Sequence, residues 1–95
     1  MPIVLVADWL AAPGQEQRVA DLLAVLARAA LAEPGVTAFR SLRSLRDPAA
    51  FVVLAEYTDR RAAEAHRAGD RYRELVQDTI APLLIDRQTE FHTEL

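Results

Sequence analysis

The sequence predicts an α+β domain: one antiparallel sheet, helices on one of its faces, elements in the order β-α-β-β-α-β. Three observations predict it. Apolar periodicity switches between the strand and helix types along the chain, Pro and Gly mark the switches, and two of the strands are apolar on both faces. At 95 residues there is room for one core, so residues 1–95 read as a single domain.

Ile3 to Leu10 is a dense apolar run rich in β-branched and aromatic residues, closed by Pro13-Gly14, and reads as the first strand. From Gln15 the period changes. Val19, Leu22, Leu23, Leu26 and Ala30 fall at helical spacing with Glu16, Asp21 and Arg28 opposite, until Pro34-Gly35 stops the helix. Val36 to Leu45 and Phe51 to Tyr57 flank Asp47-Pro48 and read as a hairpin. Asp59 caps a short helix through Ala68, and Gly69-Asp70 breaks and recaps it. Tyr72, Leu75, Val76, Thr79, Ile80, Leu83 and Leu84 form the stripe of the next helix, with Pro82 set to kink its last turn. Gln88 to Glu94 alternates Thr89, Phe91 and Thr93 against Gln88, Glu90, His92 and Glu94, the pattern of a half-buried last strand. This is the split βαβ order of ferredoxin-like folds.

Helices cover only one side of such a sheet. Ile3, Leu5, Ala7 and Trp9 share one face of the first strand, yet Val4, Val6 and Leu10 make the other face apolar too. In the third strand Phe51, Val53, Ala55 and Tyr57 oppose Val52, Leu54 and Glu56. With 52% hydrophobic residues in so short a chain, the economical cover for the second face is a second copy, so a homodimer burying more than about 2,000 Å² is expected.

Composition excludes several chemistries. Without cysteine there is no thiol nucleophile, disulfide or Cys-ligated metal. All 11 basic residues are Arg, so no lysine can form a Schiff base or complete a phosphate loop. Three glycines, Gly14, Gly35 and Gly69, cannot make a nucleotide-binding Gly-rich loop, and the expectation is no cofactor and no metal. A net charge of −3 and an isoelectric point near 5.3 argue against nucleic acid. Met1 to Asp8 reads as a strand rather than a signal peptide, and no apolar run reaches membrane length, so a cytoplasmic location is expected.

The run Ala7-Asp8-Trp9 with Pro13-Gly14, then Glu33-Pro34-Gly35, Arg46-Asp47-Pro48, Phe51 to Tyr57 with Asp59, and Ala65-His66-Arg67-Ala68 leading to Tyr72, resembles the antibiotic biosynthesis monooxygenase domain along nearly the whole chain. The resemblance implies a dimeric α+β barrel with a pocket between sheet and helices in each subunit. The family includes cofactor-independent oxygenases of polyketide anthrones and quinols, haem-degrading enzymes, and an isomerase of a phosphorylated dicarbonyl sugar. The haem-degrading members carry an asparagine, a tryptophan and a histidine where spacing puts Ala7, His66 and Val76 here, and this chain has no asparagine. Haem degradation is therefore disfavoured. Ala55 stands where a glutamate is often found.

Within that frame His66 is the candidate base and Tyr72 the candidate donor to a substrate oxygen. Leu5, Ala7, Trp9 and Tyr57 are the candidate substrate-binding residues, with Trp9 and Tyr57 as flat walls that sandwich a ring. Ser41 and Ser44 pair with no histidine in the pattern, against a serine hydrolase. The expectation is a cofactor-independent monooxygenase taking a small aromatic quinol, phenol or anthrone together with dioxygen. The rivals are an isomerase of a small phosphorylated dicarbonyl, with an arginine at the mouth of its pocket, and a non-enzymatic binding or stress-response module. A flat apolar slot favours oxygenation.

Overall fold

The computed structural model describes all 95 residues, Met1–Leu95. Four strands, β1 (Ile3–Ala11), β2 (Val36–Arg43), β3 (Ala50–Tyr57) and β4 (Leu84–Thr93), form one antiparallel sheet in the order β2-β3-β1-β4. The helix α1 (Glu16–Leu31) buries Val19, Leu22, Leu23, Leu26 and Ala30, the stripe that its spacing predicts. The helix α2 (Arg60–Ala68) starts where Asp59 accepts a hydrogen bond from the Ala62 amide at 2.8 Å.

The second half departs from the simple helical reading. After one α-helical turn, α3 (Asp70–Tyr72), the chain widens into a π-helical stretch (Arg73–Ile80) and tightens to a 3-10 turn (Ala81–Leu83). Tyr72, Val76 and Ile80 are buried at four-residue intervals, which suits the wider turn, and the Thr79 hydroxyl donates to the Glu74 carbonyl five residues back. Pro82 sits inside the 3-10 turn, where the regular helix has already ended. Gly69 occupies the cap position and the Asp70 side chain instead takes a bond from Arg73 at 3.0 Å, so Asp70 does not recap the helix.

Two strand expectations also need correction. β2 stops at Arg43 rather than Leu45 because the Ser44 hydroxyl gathers the amides of Arg46 and Asp47 into a turn, each at 3.1 Å. β4 begins at Leu84 rather than Gln88 and is exposed along nearly its whole length instead of half-buried. It is an edge strand, paired on one side only, and the helices meet its inner residues through a few long side chains rather than a packed layer.

The core is one cluster of 19 buried apolar residues between the helices and the inner faces of β1, β2 and β3. On the other side of the sheet Val4, Val6, Leu10, Val52 and Leu54 are only partly covered. No helix is long and apolar enough to cross a membrane.

Candidate active site

The site is assembled by a close approach between two segments far apart in sequence. Gly35 lies so near α2 that a Cβ at this position would collide with the Ala62 side chain. The Thr58 amide donates to the Gly35 carbonyl at 3.0 Å and ties the same loop to the end of β3. This places Glu33 beside α2, where its Oε2 meets His66 Nδ1 at 2.6 Å. His66 is 5% exposed, and it is the one buried residue with a polar or charged side chain outside the apolar core. The Glu33 contact fixes the ring and favours the Nδ1 hydrogen toward the carboxylate, so that in the neutral ring Nε2 carries the lone pair.

The His66 ring stands 5.6 Å from each of the Tyr57 and Tyr72 rings, centroid to centroid. Arg87 donates to the Tyr72 hydroxyl at 2.9 Å, and its guanidinium carbon lies 5.8 Å from the Trp9 ring. Contacts thus run without a break from Glu33 through His66, Tyr72 and Arg87 to Trp9. The Trp9 indole nitrogen is buried with no partner in the chain, and an orphaned donor of this kind costs about 1–3 kcal/mol until an oxygen reaches it.

All six residues expected at the site, Leu5, Ala7, Trp9, Tyr57, His66 and Tyr72, line one interior cavity. Ala7, His66 and Val76, matched by spacing to the haem-degrading residues, line it as well. The cavity measures only about 20 Å³, room for roughly one water molecule. Trp9 and Tyr57 do not face each other across a slot. Trp9 pairs with Phe51 and Tyr57 with Ile3, six residues apart along β1, so their backbones are about 20 Å apart and the two rings bound the cavity from opposite ends.

The space that could admit a ligand is next door. A groove of about 830 Å³ runs between α2 and β4, lined among others by Ile3, Arg60, Ala63, Arg67 and Phe91. Arg67 lines both spaces. Its guanidinium carbon is 5.0 Å from the Tyr72 ring centroid and 5.4 Å from that of Phe91, so this one flexible side chain stands between groove and cavity. Sequence reasoning missed Glu33, Arg67, Arg87 and Phe91 as site residues. On the outer face of β4, His92 lies 3.8 Å from Glu90, and no group of three His, Asp or Glu side chains converges.

Burial pushes the Tyr57 hydroxyl up from its ordinary 10.0 to about 12; Arg67 opposes the shift and Glu33 adds to it. Between those values the folded state holds a proton that the unfolded state has released. Stability tied to this phenol is therefore intact below pH 10 and lost as pH rises toward 12. The chain has no lysine and only one other tyrosine, so the alkaline range is nearly free of competing titrations. The unfolding free energy from denaturant titration should be lower at about pH 11 than at about pH 9 by roughly 1 kcal/mol, and Tyr57→Phe should remove most of that drop.

The sequence profile described as antibiotic biosynthesis monooxygenase matches residues 2–78. Among solved structures, a protein from Nitrosomonas europaea shares 23% identity at a TM-score of 0.92, over 99% of this chain and 90% of that one. Rv0793 from Mycobacterium tuberculosis shares 20% identity at a TM-score of 0.90, over 100% and 96%. A structure described as an antibiotic biosynthesis monooxygenase shares 23% identity at a TM-score of 0.89, over 98% of each chain. At these identities the structures establish the common ferredoxin-like α+β fold. No curated protein matches the chain.

Proposed function

The chain belongs to the antibiotic biosynthesis monooxygenase family, and from that premise we propose that it is a cofactor-independent monooxygenase of a small aromatic quinol, phenol or polyketide anthrone. The observation that carries this reading is His66, buried, held at Nδ1 by Glu33, and set in a mostly apolar cavity beside a phenol donor, with Arg67 and Thr89 at its edge. Such a site suits an acidic aromatic C–H or O–H. Nε2 of His66 takes the proton, the developing positive ring faces the Glu33 carboxylate, and the Tyr72 hydroxyl, itself bonded to Arg87, donates to the substrate oxyanion.

The electron-rich anion then reduces dioxygen directly. For an anthrone, a ring methylene and dioxygen give a carbonyl and water: two C–H bonds break, one oxygen atom stays on carbon, and the other leaves with both hydrogens. The four electrons come from the substrate, so the protein needs only to bind, deprotonate and exclude bulk water. The ring reaches His66 from the α2–β4 groove once Arg67 swings aside, because the interior space as it stands holds no more than a water.

The isomerase reading draws on Arg60 and Arg67 in the groove, which could hold a phosphate. The apolar lining around His66 favours oxygenation. We further propose that the working unit is a homodimer joined through the outer sheet faces. The test is oxygen uptake by purified protein, free of flavin and metal, with a naphthoquinol and an anthrone. Uptake above the protein-free rate, with one atom of labelled dioxygen found in the product and the other in water, supports the proposal, and absence of such uptake with both overturns it.

A further inference from the structure

Arg67 follows His66 directly on α2, and its side chain is half-buried. Neither Arg67 nor Arg60 has a carboxylate at ion-pair distance; the chain's ion pairs are His66–Glu33, Arg73–Asp70 and His92–Glu90. Arg67 has only ring faces as partners, those of Tyr72 and Phe91. A cation over an aromatic face gains a modest quadrupole attraction, whereas a carboxylate offers a guanidinium two parallel charged hydrogen bonds. The partly desolvated fork is thus better matched by an anion than by what it now touches.

The surroundings agree with that preference. In a chain of net charge −3, the groove carries Arg60 and Arg67 against Glu64 as its single acid. Arg60 and Arg67 are two helical turns apart and face the same groove, a local excess of positive charge that concentrates anions there. Arg67 also lies against two aromatic rings, Tyr72 and Phe91, surfaces on which a substrate ring could pack once the guanidinium moves.

We propose that Arg67 is the specificity-determining residue of the site, and that it selects aromatic substrates bearing a carboxylate next to the hydroxyl that His66 deprotonates. The inference rests on the aromatic-substrate reading above and adds the anionic group. On binding, the ring takes the place between Tyr72 and Phe91, and the displaced guanidinium pairs with the carboxylate in the groove.

Calorimetric titration without oxygen separates this inference from the oxygenase reading, since binding is measured with no turnover. The probes are a hydroxynaphthoic acid and naphthol, alike in ring and hydroxyl and different in the carboxylate. The intact protein should bind the acid about tenfold more tightly or better, and raising salt to about 0.3 M should weaken the acid alone. Arg67→Met keeps the apolar stem and should abolish the preference, bringing the affinities for the acid and for naphthol to within about twofold of each other. Arg67→Lys keeps the charge and should restore part of the preference, and thermal melting of both variants checks that the fold is retained. The inference is overturned if the intact protein shows no preference for the acid, if Arg67→Met keeps that preference, or if a phosphorylated aliphatic sugar binds more tightly than the acid. Oxygen uptake failing with every substrate while the binding pattern holds would sink the oxygenase reading and leave the anion selection standing.

Discussion

His66→Ala should lower turnover by roughly a hundred- to ten-thousand-fold, the range spanned by a general base acting in a rate-limiting proton transfer. Assays belong at a pH below the substrate's own ionisation, because an ionised phenol needs no base. The fold should survive the change. The ring lies one turn from Ala62 and Ala63, and the Glu33 side chain, 34% exposed, can turn to water once its partner is gone. Glu33→Gln should cost less, about tenfold to a hundredfold, since the amide oxygen still accepts from Nδ1 but offers no charge to the protonated ring. Added imidazole should recover part of the His66→Ala loss and none of the Glu33→Gln loss. Full activity in His66→Ala would make the histidine a packing residue and remove proton transfer from the proposed mechanism.

Where burial follows a simple period, the chain was legible. The five apolar positions of α1 and the alternating inner faces of β1 and β3 are the buried ones, because one element against one sheet turns sequence spacing directly into burial. The start of β4 was not legible. Leu83 and Leu84 continue the apolar stripe of the preceding helix, and Asp86-Arg87 interrupts any alternation, yet backbone pairing with β1 runs through these residues regardless of polarity. That loss hid Arg87, which lies opposite Trp9 and donates to Tyr72. His66 and Tyr72 stood out as polar or aromatic residues on apolar stripes. Glu33 did not, because its role depends on a contact 33 residues away that exists only where Gly35 lets the loop touch Ala62.

The outer sheet face yields the other large effect. Val6 and Leu54 pair across β1 and β3 at the centre of that face, but their outer neighbours differ: Leu54 also pairs with Arg40 on β2, and Val6 with Glu90 on β4. In a dimer joined through these faces both side chains are desolvated, and a carboxylate at either position costs several kcal/mol unless it finds a partner. In the single chain the outcomes separate. Asp at position 54 faces Arg40 across the strands, an opposite-charge pair worth up to about 1 kcal/mol, whereas Asp at position 6 faces Glu90, a like-charge pair that destabilises. Leu54→Asp should therefore give a folded monomer and Val6→Asp a monomer less stable than it by about 1 kcal/mol. Sedimentation at micromolar concentration should show the unaltered protein at about 21 kDa, twice the chain's 10.5 kDa, and Leu54→Asp at the single mass. Dilution sharpens the comparison. Linked dimerisation lowers the unaltered protein's melting temperature as it is diluted, by mass action, while a monomer's melting is independent of concentration. An unaltered protein that sediments at 10.5 kDa and melts identically at every concentration would overturn the dimer and leave the outer face as solvent-facing surface.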